Sequence, residues 1–411
     1  VRILIVKVLS SHGFGKIIEI IEKSQARQDV DCNTYKRCGG CNLRHVKYEE
    51  TLKMKQNAVQ SLVNKTLKNK LQVKETVGME NPLHYRNKAQ YPIGINKRGE
   101  PVIGVFANRT HEVIPIDNCL IQNKKSEEIA KFIIEFIKEK NISIYDEKTG
   151  KGLVRHIVTK VGIKTGEIMC VIVINGHKIT NENELVENLK TRYPEIKAIV
   201  KNINMKNTNV ILGQENINLY GNGYIEDILG EYKFQISPLS FYQVNPVQAE
   251  KLYNLGVGMA EITKNDVVFD LYCGIGTISL FMSKFAKKVY GIEIIEEAVK
   301  MAKENAQNNN VSNTEFFAGD VEIVLDDLIN NKGIKADVVM FDPPRKGLDK
   351  KSIDNILNIR PKKIVYISCN PATLIRDLAD FENEYDIKTI IPVDMFPFTS
   401  HVECCSVLQL K

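Results

Sequence analysis

Asp270-Leu-Tyr-Cys-Gly-Ile-Gly-Thr277 ends a short apolar run that starts at Val267 and leads into a helical pattern. The reading puts a carboxylate at the end of a buried strand, with two glycines in the turn that follows. Glycines there let the backbone approach a bound molecule closely, in the crevice beyond the carboxyl ends of parallel strands. A lone Gly-x-Gly is weak, but the next apolar run ends Tyr290-Gly-Ile-Glu293, 23 residues after Asp270. A carboxylate at that spacing can accept both hydroxyls of a ribose. A hydride-transferring dinucleotide fold would want a third glycine where Ser279 stands. The loop therefore favours S-adenosylmethionine over a nicotinamide.

Outward from the loop, residues 267–271, 288–292, 314–317, 337–341 and 363–367 are short apolar runs separated by amphipathic stretches such as 296–307. This predicts an α/β domain, Rossmann-like and doubly wound, over residues 241–411. Residues 388–393 and 404–410 are close enough to form an antiparallel hairpin. Asp320 follows the third run, where it can accept from an adenine amino group or simply cap a helix.

The fourth run leads into Asp342-Pro-Pro-Arg345. Two prolines hold the backbone extended and remove donors, leaving a rigid loop open to a ligand. Adenine and cytosine amino methyltransferases use a similar loop, with an aromatic residue where this chain has Arg345. The fifth run delivers Ser368-Cys369-Asn370-Pro371. Proline suits the first helical position, so Cys369 is expected beside a helix N-terminus whose dipole lowers the thiol pKa. A thiolate beside this crevice meets a specific need. C5 of uracil is too weak a nucleophile to attack a sulfonium methyl unaided, and thiolate addition at C6 makes an enolate that can. A base must then take the C5 proton. Glu403 in His401-Val-Glu403, expected in the loop before the last strand, supplies a carboxylate. The plainer readings are a packing thiol and a strand-edge charge.

Upstream the texture differs. Residues 1–30 read as the end of a small β module around a turn at His12-Gly-Phe-Gly15. The chain begins at Val1 and not at Met, so a further N-terminal piece is expected before it. Residues 31–240 are expected as a central β-rich unit, with a helix over 48–71 that packs on the catalytic domain. Strands are expected near 102–106, 156–161, 168–174 and 209–212, with a single helix over 127–139. Cys32, Cys38, Cys41 and the distant Cys119 can supply four thiolates to a [4Fe-4S] cluster or, tetrahedrally, to zinc. Cys170, Cys273, Cys404 and Cys405 read as packing residues.

Residues 1–125 hold 22 Lys and Arg against 11 Asp and Glu, leaving 34 against 39 for the rest. The N-terminal third is thus the expected polyanion contact, or a solvated basic surface. Phe241 and Tyr242, with Arg155 and His156, are candidates for stacking on a flipped base and for phosphate contact, although a buried aromatic core is the equal or stronger reading for Phe241. No apolar stretch is long enough for a membrane span and no signal peptide is visible, so a cytoplasmic location is expected.

These motifs together resemble the bacterial RNA uracil-C5 methyltransferases, above all the iron–sulfur type that modifies 23S ribosomal RNA. The resemblance rests on Cys32-x5-Cys38-Gly-Gly-Cys41 with Cys119, Phe241-Tyr-Gln-Val-Asn245, the glycine loop, Asp342-Pro-Pro-Arg345, Ser368-Cys-Asn-Pro371 and His401-Val-Glu403. It implies Cys369 as nucleophile, Glu403 as base, and Gln243, Tyr272, Glu293, Asp320 and Asp342 around S-adenosylmethionine. It favours iron–sulfur over zinc and implies that residues 1–30 are the remnant of a TRAM-like RNA-binding barrel. The expected partner is RNA, with 23S ribosomal RNA ahead of transfer RNA, bound by a monomer. Two other readings stay open: an amino methyltransferase, which needs no thiol, and a non-catalytic iron–sulfur RNA-binding protein.

Overall fold

The computed structural model describes residues 1–107 and 110–411. The catalytic sheet has seven strands: β1 (Val267–Leu271), β2 (Lys288–Glu293), β3 (Thr314–Ala318), β4 (Val338–Phe341), β5 (Lys363–Ser368), β6 (Tyr385–Val393) and β7 (Glu403–Leu410). Their spatial order is β3-β2-β1-β4-β5-β7-β6. The first five are parallel, and β7 runs antiparallel to both its neighbours. The order reverses between β1 and β4, which opens a crevice above the carboxyl ends of those strands. Because β7 is reversed, its first residue, Glu403, lies at the same edge as the last residues of β4 and β5.

Successive strand residues point to opposite faces, and two cores result. Val268, Val338, Met340, Val365 and Cys405 pack on one side, and Phe269, Val339, Phe341, Tyr366 and Cys404 on the other. Helix Tyr48–Thr66 belongs to the second core through Val59 and Val63, followed by Leu67 and Val73. The helix stops at Thr66, short of residue 71, because Leu67 turns extended. The amides of Lys68 and Asn69 then donate to Glu382, both at 3.0 Å.

A second sheet of seven strands lies upstream, in the order Val113–Pro115, Pro101–Phe106, Lys88–Ile95, Val154–Val161, Ile168–Ile174, Ile196–Ile203 and Glu215–Tyr220. Residues 209–212 are loop, not strand. The region holds two helices where one was expected: Lys124–Glu139 and Glu182–Arg192. The second is the crossover that a parallel pair requires, and Ile168–Ile174 and Ile196–Ile203 are parallel. Val158, Val171 and Val200 of this sheet join the first catalytic core, so the two sheets share buried surface. Cys170, Cys273, Cys404 and Cys405 are buried, as expected of packing residues.

Residues 1–30 contain one antiparallel hairpin, Arg2–Val8 with Gly13–Glu19, exposed along its whole length. Its turn spans Leu9 to His12, so Gly13 and Gly15 lie in the second strand and not in the turn.

Candidate active site

All five residues assigned to the cofactor line one cavity of about 980 Å³. Tyr272 follows β1, Glu293 ends β2, Asp320 follows β3 and Asp342 follows β4. Gln243 comes from the segment ahead of helix Pro246–Ala260. The glycine loop bends sharply: Tyr272, Gly274 and Gly276 take φ of 66°, 55° and 82°. That region is costly for a bulky side chain, so Tyr272 is held there by its surroundings. Glu293 braces the loop, accepting from Gly274 N at 3.1 Å and from Ile295 N at 3.0 Å. Asp320 caps helix Val321–Asp326, accepting from Glu322 N at 2.9 Å, and still faces the cavity. Ser279, where a third glycine would stand, donates to Asp270 at 2.5 Å. Among the described residues the other oxygen of Asp270 is buried without a hydrogen-bond partner, and burial pushes this carboxyl up to about 7.

Lys160 holds the Gln243 segment from the other sheet, donating to the carbonyls of Ser237 at 2.7 Å and Ser240 at 2.8 Å. Nothing in the sequence announced this role, since Lys160 sits in an ordinary strand pattern. Burial pushes its ammonium down to about 7.

Cys369 lies in an adjoining cleft of about 390 Å³ with Arg345, His401 and Val402. The Asp342-Pro-Pro-Arg345 loop separates the two spaces, with Asp342 facing the first and Arg345 the second. Helix Pro371–Phe381 starts two residues after Cys369, as expected. The thiol is not acidic, however. Burial raises its pKa, Glu403 and Asp342 raise it further, and Arg345, close enough to hydrogen-bond the sulfur, opposes them. Glu403 is 4% exposed. It is the first residue of β7, paired with Val393, and so belongs to a strand and not to the preceding loop. Burial and then Asp342 push it up to about 8, against Arg345. Burial likewise pushes Asp342 up to about 7. Arg345 also meets Nδ1 of His401 at 3.0 Å. One thiol and one carboxyl with weakened acidity thus face one guanidinium, with Asp342 near enough to both acids to raise them further.

Residues 47–411 match the tRNA (uracil-5-)-methyltransferase family. The chain belongs to this family. It is similar to RNA methyltransferases described as uncharacterized. One, from Clostridium acetobutylicum, is 49% identical over 407 residues, covering 98% of this chain and 88% of the relative. Another, from Staphylococcus aureus, is 43% identical over 408 residues, covering 99% and 90%. Among solved structures, Pyrococcus abyssi tRNA (uracil-54, C5)-methyltransferase in complex with S-adenosyl-L-homocysteine matches with a TM-score of 0.78 and 27% identity, over 99% of this chain and 91% of that one. The protein is therefore an RNA methyltransferase of the uracil-5 type, and S-adenosylmethionine is its methyl donor. Among the described residues, no helix is long and apolar enough to cross a membrane.

In this methyltransferase the four cysteines assigned to a metal are half-buried and, among the described residues, form no disulfide. Cys41 is pushed up to about 12, first by burial and then by the charges of Cys119, Cys38 and Cys32. The four sulfurs therefore lie within electrostatic reach of one another. Backbone amides point at two of them, Gly40 N to Cys38 at 3.3 Å and those of Ile121 and Gln122 to Cys119, as suits thiolate ligands. Among the described residues no three His, Cys, Asp or Glu side chains converge tightly enough to hold one ion. Four thiols are a donor set that either an iron–sulfur cluster or zinc accepts.

Three of the four RNA-facing candidates are buried, and of these only Tyr242 also lines the cofactor cavity. Arg155 is buried and donates to the carbonyls of Asn204 and Lys206 at 2.7 and 2.8 Å. His156 is buried too, and burial pushes it down to about 4. Tyr242 is buried against Asp227. Phe241 reverses the other way: it is 67% exposed at the cavity mouth. Two adjacent aromatics were read alike because sequence does not say which way each points.

Proposed function

We propose that this enzyme methylates C5 of a uridine in RNA, with Cys369 as nucleophile and Glu403 as base. The observation that supports the reading is the meeting of Cys369 and Glu403, both within reach of Arg345 and of Asp342, where the cofactor cavity adjoins the thiol cleft. Gln243, Tyr272, Glu293, Asp320 and Asp342 would hold S-adenosylmethionine, which when bound supplies an electrophilic methyl on a cationic sulfur. Arg345 favours the thiolate of Cys369. The sulfur bonds to C6 of the uracil, C5 gains the methyl, Glu403 takes the C5 proton, and the C6–S bond breaks to return the thiolate.

The test is RNA carrying 5-fluorouridine at the target site, since fluorine at C5 cannot leave as a proton. With cofactor present, a stable adduct through Cys369 is expected. Cys369→Ala should abolish both adduct and turnover while leaving S-adenosylhomocysteine binding intact; turnover by that variant refutes the reading.

Cys32, Cys38, Cys41 and Cys119 would hold a [4Fe-4S] cluster, supported by their mutual electrostatic reach and by the amides aimed at Cys38 and Cys119. The proposed substrate is 23S ribosomal RNA, supported by the cysteine set and by the hairpin read as a TRAM-like remnant. A transfer RNA substrate is the second reading, favoured by the family description and by the Pyrococcus abyssi relative. Mapping 5-methyluridine in both RNAs from a strain lacking the gene separates them.

A further inference from the structure

We infer that Asn42, in the cysteine loop, is a positioning residue for proton abstraction by Glu403, acting through Ser400. The inference rests on the reaction proposed above. Asn42 and Ser400 are 358 positions apart and hold each other by two hydrogen bonds. Asn42 Nδ2 donates to Ser400 Oγ at 2.9 Å, and Ser400 N donates to Asn42 Oδ1 at 2.8 Å. The neighbouring residues make the same junction: Leu43 N donates to the Phe398 carbonyl at 2.9 Å, and the Arg44 guanidinium lies 4.0 Å from the Phe398 ring centroid. Phe398 takes φ of 61°, a conformation an aromatic residue keeps only when its surroundings impose it.

The position of this junction gives it a catalytic consequence. The loop from residue 394 to 402 leads directly into Glu403. Its first half is anchored by the buried Asp394, which meets Lys55 and, at 2.8 Å, Tyr48. Its second half buries Thr399 and Val402 but, among the described residues, has no comparable buried ion pair. Among the described residues, the hydrogen bonds that reach residues 399–402 from outside the loop are those of Asn42 to Ser400 and of Arg345 to His401. Asn42 is exposed, so its loss should cost little stability. What it should lose is the placement of the carboxylate three residues beyond Ser400, and misplacement by a fraction of an ångström is enough to slow a proton transfer.

Poor placement of the base has its own signature. Addition of Cys369 and methylation of C5 still occur, but the C5 proton leaves slowly, so the methylated enzyme–RNA adduct accumulates. For Asn42→Ala acting on ordinary uridine RNA with S-adenosylmethionine, kcat should fall on the order of 10-fold. The KM for RNA and the affinity for S-adenosylhomocysteine should stay near those of the parent. A denaturant-resistant adduct carrying the transferred methyl should build up. Asn42→Asp keeps an acceptor for Ser400 N and lets the Ser400 hydroxyl donate in return, so it should recover most of the rate. Ser400→Ala removes one of the two bonds and should cause a smaller fall, with no further loss when combined with Asn42→Ala.

Parent-like kcat in Asn42→Ala, or a fall in kcat with no adduct, overturns the inference. If Asn42→Ala does not fold, Ser400→Ala alone decides: adduct accumulation supports the role and parent-like turnover overturns it. Failure of the parent to be trapped by 5-fluorouridine RNA would instead sink the Cys369 reading. Trapping of the parent with no effect at Asn42 would sink this inference alone.

Discussion

Arg345 favours the charged forms of both Cys369 and Glu403, while burial and Asp342 work against it. Glu403 is pushed up to about 8 and so keeps its proton at neutral pH in the free enzyme. A base works only once that proton is gone, and the protonated fraction falls as pH rises. The value of kcat/KM, which reports the free enzyme, should therefore climb through about pH 8 and drop about tenfold per unit below it. Arg345→Ala should move this limb to higher pH and lower the rate at neutral pH; a limb that stays put would remove Arg345 from the electrostatics. At this scale much was legible in the sequence. Cys369, Glu403, Tyr272, Glu293, Asp320 and Asp342 stand in short motifs at strand ends, so the sequence places them at one edge of the sheet, whereas Gln243, ahead of a helix, came only from the family resemblance. The acidity of the thiol was not legible. A helix N-terminus favours a thiolate, but burial of the sulfur and then the charges of Glu403 and Asp342, brought there by strand order, work against it.

Among the elements, helix Tyr48–Thr66 links the cysteine loop to the catalytic loop. Lys55 on this helix is 2% exposed and donates to Asp394, which is fully buried, and to the carbonyl of Phe396 at 3.1 Å. Lys55→Met leaves that carboxylate buried without its cation, and should cost about 3–5 kcal/mol in denaturant unfolding. A loss within the range of ordinary surface changes would mean that Tyr48 and the backbone satisfy Asp394 unaided. The helix itself was readable from its apolar spacing. Its last turn was not, because Leu67 and Leu71 continue the apolar pattern after the backbone has turned extended. Helix Glu182–Arg192 was missed for the opposite reason: it buries only Leu185, Val186 and Leu189, too few to stand out among strands. Missing it also hid the parallel pair it connects.

Across the whole molecule the sequence shows two textures but gives no sign that they share a core. Val158, Val171 and Val200 look like residues of an independent sheet, and only the tertiary arrangement puts them against the catalytic layer. The cysteine loop is likewise a joint between regions and not an appendage. Enzyme purified without oxygen should absorb broadly in the visible, and Cys41→Ser should lose that colour. A colourless parent containing zinc would refute the cluster.

The place of β7 has a consequence for synthesis. It enters the sheet between β5 and β6, although it is translated after both. A nascent chain on the ribosome can already display the glycine loop and Cys369 while lacking Glu403, and the partner awaited by Asn42 emerges only some 358 positions later. Joining such remote segments is slow, because loop closure precedes any reward from contact. On the proposed chemistry such a polypeptide lacks its base, and complete turnover would begin only once β7 has threaded into its slot.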